Sequence, residues 1–195
     1  MAKNDLQKYT VQEKLNKMKV DTIALEPGTT TNACSDAEII FANETLTDAV
    51  GVKGGSAIIQ SIVLIDDDDH GGAVDLIFHS VSGSFGTEGA AISSTDVTLL
   101  RSIKAVVTVS TYMDGVNWMI GHKENIGAIV SAESTSTDLY VTCINRSGGA
   151  LTYSADGLYL IVNLVQVLSL HLHLVLEILL VVLVLYMPTQ QVVIM

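Results

Sequence analysis

The chain has 195 residues, enough for one sizeable core with appendages. Its net charge is −11, from 21 acidic against 10 basic residues, so it lacks the basic footprint that nucleic acid and anionic membrane surfaces require. Cys34 and Cys143 stand far apart with no C-x-x-C or zinc spacing, which points to two reduced, partly buried thiols and not to a disulfide framework.

Residues 4–19 are the best helix candidate. Leu6, Tyr9, Leu15 and Met18 fall near one face, with Lys8, Lys14 and Lys17 elsewhere, and neither Gly nor Pro interrupts them. From Val20 the composition changes to Thr, Ala, Pro27 and Gly28. Residues 1–29 therefore read as an N-terminal arm, helical or extended, that packs on its own domain or on a neighbouring subunit.

Residues 30–165 read as the body. They are rich in Thr, Ser, Gly, Val, Ile and Ala. Candidate strands are 37–42, 56–66, 73–80, 96–99, 104–110, 116–122, 127–132, 138–144 and 158–166. Turn residues separate them at Gly54-Gly55, Gly71-Gly72, Gly83 to Gly89, Asp114-Gly115, Gly148-Gly149 and Asp156-Gly157. Ser61-Ile62-Val63-Leu64-Ile65 and Ala73-Val74-Asp75-Leu76-Ile77-Phe78 flank Asp66-Asp67-Asp68-Asp69-His70-Gly71-Gly72, which reads as a β-hairpin. Asp114-Gly115, between Val107-Thr108-Val109 and Val116-Asn117-Trp118, reads as another, with Gly115 expected at positive φ. The prediction is a mainly β fold, an antiparallel β-sandwich or jelly roll with an N-terminal arm. No βαβ alternation supports a doubly wound sheet.

Residues 166–195 form an apolar tail in which Leu replaces Gly, Thr and Asp. Leu168, Leu170, Leu172, Leu174, Leu176 and Ile178 alternate with mostly polar partners, a period of two that favours strand over helix up to residue 178. The longest unbroken apolar run, Ile178 to Met187, is short of the roughly 20 residues that span a bilayer. An exposed strand this apolar would aggregate, so it is expected to be covered by other strands or other chains. The abrupt break in composition is also what a shifted reading frame would produce.

Candidate sites are few. Asp66 and Asp68, with their acidic neighbours, could offer oxygens to calcium, but EF-hand spacing is absent and a solvated connector accounts for the run. His171 and His173 would share a strand face and could chelate zinc or copper, but no third ligand stands out. Neither pair is assigned a metal, and no cofactor is expected. His70, His79 and His122 are scattered, and no Gly-x-Ser-x-Gly elbow anchors a triad. Gly83 to Gly89 lacks the Lys of a P-loop and reads as a flexible loop. Trp118, beside Met119 and Ile120, reads as core. Asn43-Glu44-Thr45 and Asn145-Arg146-Ser147 match the glycosylation pattern.

The block Gly55 to Tyr153, about half the chain, resembles a family of small structural proteins from tailed bacteriophages, especially those of marine bacteria. The resemblance is carried by Ile62 to Asp69, Ala73 to Phe78, Phe85-Gly86-Thr87-Glu88-Gly89, Ile92-Ser93-Ser94-Thr95-Asp96, Gly121 to Gly127 and Leu139-Tyr140-Val141. Thr152-Tyr153-Ser154-Ala155-Asp156-Gly157 then leads into the final strand. It implies a virion protein with an antiparallel β-sandwich, acting as capsid decoration or cement. Its implied partners are the major capsid protein and copies of itself, with a trimer as the expected homo-oligomer. The family pattern ends soon after Val165, so the Leu-rich tail departs from it. The alternative is a tail or fibre component whose loops 83–95 and 131–138 contact a host receptor. A hydrolase built on an Asp/His site is the reading from a different class, and a non-enzymatic role is expected.

Overall fold

The structure, a computed structural model, describes residues 19–167. In chain order these form β1 (Lys19–Leu25), β2 (Ile39–Leu46), β3 (Ser56–Asp66), β4 (Val74–His79), α1 (Val97–Arg101), β5 (Ile103–Val109), β6 (Tyr112–Asp114), β7 (Met119–Lys123), β8 (Ala128–Ser131), β9 (Leu139–Asn145) and β10 (Leu158–Val167). Every pairing is antiparallel. One sheet has the order β1-β10-β3-β7-β6, with β8 following β7 along the same edge of β3. The other runs β2-β9-β4-β5. The mainly β, antiparallel sandwich expected from the sequence is the fold found.

The period of two explains why the sheets stack. In β3, Ala57, Ile59, Ile62 and Leu64 are buried, and in β10 so are Leu158, Leu160, Val162 and Leu164. They meet Phe41, Leu76, Phe78, Val141 and Cys143 of the second sheet in one core cluster. The phase of β3 slips between Ile59 and Ile62, where the register with β10 shifts at Asn163/Leu164. A bulge at Gln60 absorbs the extra residue and keeps the buried positions on one side.

Several expectations are corrected. Ser61 to Phe78 is not a hairpin. β3 pairs with β10, β7 and β8, whereas β4 pairs with β5 and β9, so the acidic connector carries the chain from one sheet to the other. Strong strand grammar on both sides of a turn specifies two strands, not that they bond to each other. The expected strand at 96–99 is α1: Asp96 caps it, accepting from Thr98 N at 2.8 Å and Leu99 N at 3.4 Å. Asp114-Gly115 does turn the chain, but between β6 and β7. Val107–Val109 belongs to the opposite sheet, and residues 116–118 lie in the turn. Gly115 is not among the positive-φ residues. It is needed because a Cβ there would sit 2.5 Å from the Trp118 ring. Trp118 is not core; it is 37% exposed on that turn.

Of the arm, Lys19–Leu25 is a sheet strand pairing with β10 from Lys19↔Gln166 to Leu25↔Leu160. The helix expected over 4–19 therefore does not include Lys19, and its remaining residues lie outside those described. So do residues 168–195.

The two sheets differ in what lies outside them. The outer side of the smaller sheet is covered by the chain between β4 and β5. Phe85 and Leu99 pack there against Ile39, Ile77 and Ile144 in a second apolar cluster. Accordingly β4 and β9 are buried at nearly every position, while β3 and β10 alternate. The loop from Gly83 to Gly89 is thus a seated cover. Glu88 Oε1 accepts from Ala42 N at 3.1 Å, where β2 is bulged, and Gly89 N donates to Ile39 O at 2.8 Å.

Candidate interaction surface

Outward positions of the larger sheet can be read from its register. Val20, Thr22 and Ala24 lie beside Val165, Asn163 and Ile161, and these lie beside Ile58, Ser61 and Val63; Tyr159 pairs with Ile65. Beyond β3 the row continues with Ile129, His122 and Ile120, and Met113 pairs with Ile120. None of these residues is Asp, Glu, Lys or Arg. Val20 is 68%, Ile129 69% and Met113 58% exposed. Across the middle runs a polar ladder: Thr22 Oγ1 donates to Asn163 Oδ1 at 2.8 Å, and Asn163 Nδ2 donates to Ser61 Oγ at 3.0 Å. β3 and β10 are therefore apolar on both faces, the composition of strands covered on both sides, yet among the described residues only one side is covered. A second exposed apolar group is the turn between β6 and β7, where Val116 is 87% exposed beside Trp118.

The acidic connector is built for architecture. Asp66 is 1% exposed, and its carboxylate accepts from Asp68 N at 3.0 Å, His70 N at 3.1 Å and Gly71 N at 2.9 Å. Asp68 Oδ2 accepts from Ser154 N at 2.6 Å and Ser154 Oγ at 3.0 Å, tying the connector to the loop before β10. Both proposed calcium oxygen donors thus already hold backbone N–H groups. Among the described residues no three His, Cys, Asp or Glu side chains gather as a metal site needs. His171 and His173 lie outside the described residues.

The remaining histidines sit on separate elements. His70 Nε2 is 2.7 Å from Thr152 O, with the ring edge-on to Tyr153. His122 lies on the outer face, 3.6 Å from Glu124. His79 is fully buried: Nδ1 donates to Val81 O at 2.8 Å, and the ring packs edge-on to Phe85 and stacked on Tyr140. Burial lowers its pKa below the ordinary 6.5, against the smaller opposing effect of the Val81 carbonyl. The unfolded chain then binds the proton more readily, so stability is expected to fall as pH drops through 6.5 towards the folded value. His79→Gln should flatten that fall, read as the difference in urea midpoint between about pH 7.5 and about pH 5.5; an equal drop in both proteins would refute it.

Cys34 and Cys143 are free and fully buried. Burial pushes both thiols up, and it pushes the Tyr112 and Tyr153 hydroxyls up as well, with Asp66 adding to the rise in the tyrosines. These groups are neutral filling for the core and not activated nucleophiles. Asn145 of the second glycosylation pattern is buried too, donating to Cys34 O and Gly149 O at 2.7 Å each. A cavity of about 310 Å³ beside α1 is lined by Val81, Val97, Arg101, Lys104 and Glu133. Glu133 there already accepts from Ser80 Oγ at 2.7 Å. Sequence reasoning missed both exposed surfaces. The signal for the outer face was present, in the apolar residues at both phases of 56–66 and 158–166.

No protein-family model matches the chain, and no curated protein matches it in sequence. Among solved structures, the chain is similar to the infectious bursal disease virus VP2 subviral particle, with TM-score 0.32 and 12% identity over 77% of this chain. It spans only 32% of that protein's length. It is similar to the capsid of Ralstonia phage GP4, with TM-score 0.34 and 16% identity over 78% of this chain and 86% of that one. It is also similar to Desmodium yellow mottle tymovirus, with TM-score 0.24 and 12% identity over 79% and 85% of the two chains.

Proposed function

We propose that this chain is a virion structural protein, a capsid decoration or cement protein that stabilises the head shell of a tailed phage. Its partners in this reading are the major capsid protein and copies of itself, arranged as a trimer. The observation that carries the reading is the exposed apolar tip formed by Val116 and Trp118, held out on the β6–β7 turn of a strongly acidic protein. Tryptophan in a small apolar projection is the kind of anchor that dominates protein–protein contacts. Burying such a tip across neighbouring capsomers adds avidity without any catalytic group.

The motifs that resemble phage virion proteins support it, because several of them have an architectural task. Asp66 and Asp68 stitch the crossover between sheets, Phe85 to Gly89 seats the cover, and Tyr140 stacks on His79. Within loop 83–95, which a receptor-binding fibre would use, Phe85 and Glu88 are engaged in holding that cover, while Ile92 is exposed.

Quantitative mass spectrometry of purified particles tests the reading. Abundance close to that of the major capsid protein is expected. A few copies per particle would move the chain to the tail or fibre, and absence from particles would remove the virion reading. On isolated shells, Trp118→Ala is expected to weaken binding at least tenfold with little change in the chain's own stability, since the ring is not in the core. Unchanged binding would rule out the tip as the anchor.

A further inference from the structure

The outward row of the larger sheet holds no Asp, Glu, Lys or Arg, although the chain carries a net charge of −11. The polar side chains along its middle are bonded to one another. Asn163 accepts from Thr22 Oγ1 through Oδ1 and donates to Ser61 Oγ through Nδ2, so both ends of the amide are already engaged within the face. We propose that this outer face is a two-fold interface between copies of the chain, packed sheet against sheet.

Area is the first argument. The strands β1, β10, β3, β7 and β6, at about 4.8 Å spacing, make a face roughly 24 Å wide, and Tyr159 to Val165 run roughly 20 Å along it. With side-chain margins that is about 600 Å² on each copy and about 1,200 Å² for a pair, which reaches the size class of specific, stable interfaces. Desolvation is the second. Apolar side chains gain from burial, and the Thr22–Asn163–Ser61 ladder keeps its bonds when water leaves, so covering the face strands none of those bonds. Shape is the third. A twisted sheet packs best on another sheet of the same twist, and a second copy supplies one of identical twist and composition. Charge is the fourth. Acidic copies repel one another over most of their surface, and the charge-free row is where two of them approach at least cost. The row also lacks the Lys, Arg and Trp that anchor a membrane-lying surface. The contact concerns this face alone, so it depends neither on the virion reading nor on the number of copies in a whole assembly.

The test uses the full chain with p-benzoylphenylalanine in place of Tyr159, an aromatic replacement on the row. Irradiation is expected to give a covalent dimer whose cross-linked peptides come from 58–65, 120–129 or 159–165 of the second copy. Cross-links confined to one chain would overturn the proposal, and so would transfer to lipid in place of a second copy when phosphatidylcholine vesicles are present. In parallel, sedimentation compares self-association of the parent with that of Ile161→Asp, which sets like charges on both sides of the contact. At least a tenfold weakening is expected while the near-ultraviolet signal of Trp118 persists. Unchanged association in the folded variant would overturn the proposal. The cross-link is read in a chain with an untouched core, so it decides the matter even where the Asp variant fails to fold.

Discussion

Phe85→Ala is expected to cost about 3–4 kcal/mol, and to do so by lifting the cover off the smaller sheet. Phe85 is fully buried yet lies in a loop, where it fills the space between Ile39, Ile77, Leu99 and Ile144 and meets the His79 ring edge-on at 5.0 Å. Truncation removes the apolar burial and leaves a cavity, since Ser93 N and Ser94 N donate to Phe85 O at 2.9 Å each and keep the loop from collapsing inward. Chemical denaturation gives the magnitude. Native-state hydrogen exchange gives the location: the amides of Ala42 and Gly89 should lose protection well before those of β3 and β10. A loss below about 1 kcal/mol would mean that the cover is held by its hydrogen bonds alone.

The second large effect is expected at Asp66→Ala, about 3 kcal/mol. No basic residue pairs with this buried carboxylate in a salt bridge among the described residues; its partners are the N–H groups of Asp68, His70 and Gly71. Hydrogen bonds to a charged acceptor are stronger than neutral ones, and deleting the acceptor strands three donors in a tight turn in which Asp69 and Gly71 have positive φ. Asp66→Asn should cost about half as much, because its carbonyl can still serve two donors while its amide faces the third. Urea midpoints of the three proteins decide it. Equal losses for Ala and Asn would show that the charge carries the effect, and no loss for Ala would show that the Ser154 contacts of Asp68 hold the crossover by themselves.

The same residues show how far the sequence could be read. Eight of the ten described strands lay at or near their expected places, because runs of Val, Ile and Leu bounded by Gly and Asp are a local signal, whereas the three-residue β6 is too short to give one. β1 was hidden in the arm, since Lys19 to Leu25 has the composition of either, and only its pairing with β10 decides it. α1 was misread because Asp96 serves equally as a turn residue and as a helix cap, and three apolar residues are too few to show a period. The acidic connector was located correctly, but its purpose was invisible. A run of Asp looks solvated until the fold brings three N–H groups to one carboxylate.

What the sequence alone determined was the strand class of the fold and the approximate place of most strands. That information is carried by β-branched runs bounded by turn residues within a segment and needs no knowledge of neighbours, whereas the inward face was hidden wherever both phases are apolar, as in β3 and β10. What only the tertiary structure decided was partnership: that β3 joins β10 and not β4, that residues 80–102 roof one sheet, and that the other is left open on its outer side across residues 19–167. The backbone groups that join strands are the same at every residue, so their pairing is chosen by the packing of the whole core and is written in no single segment.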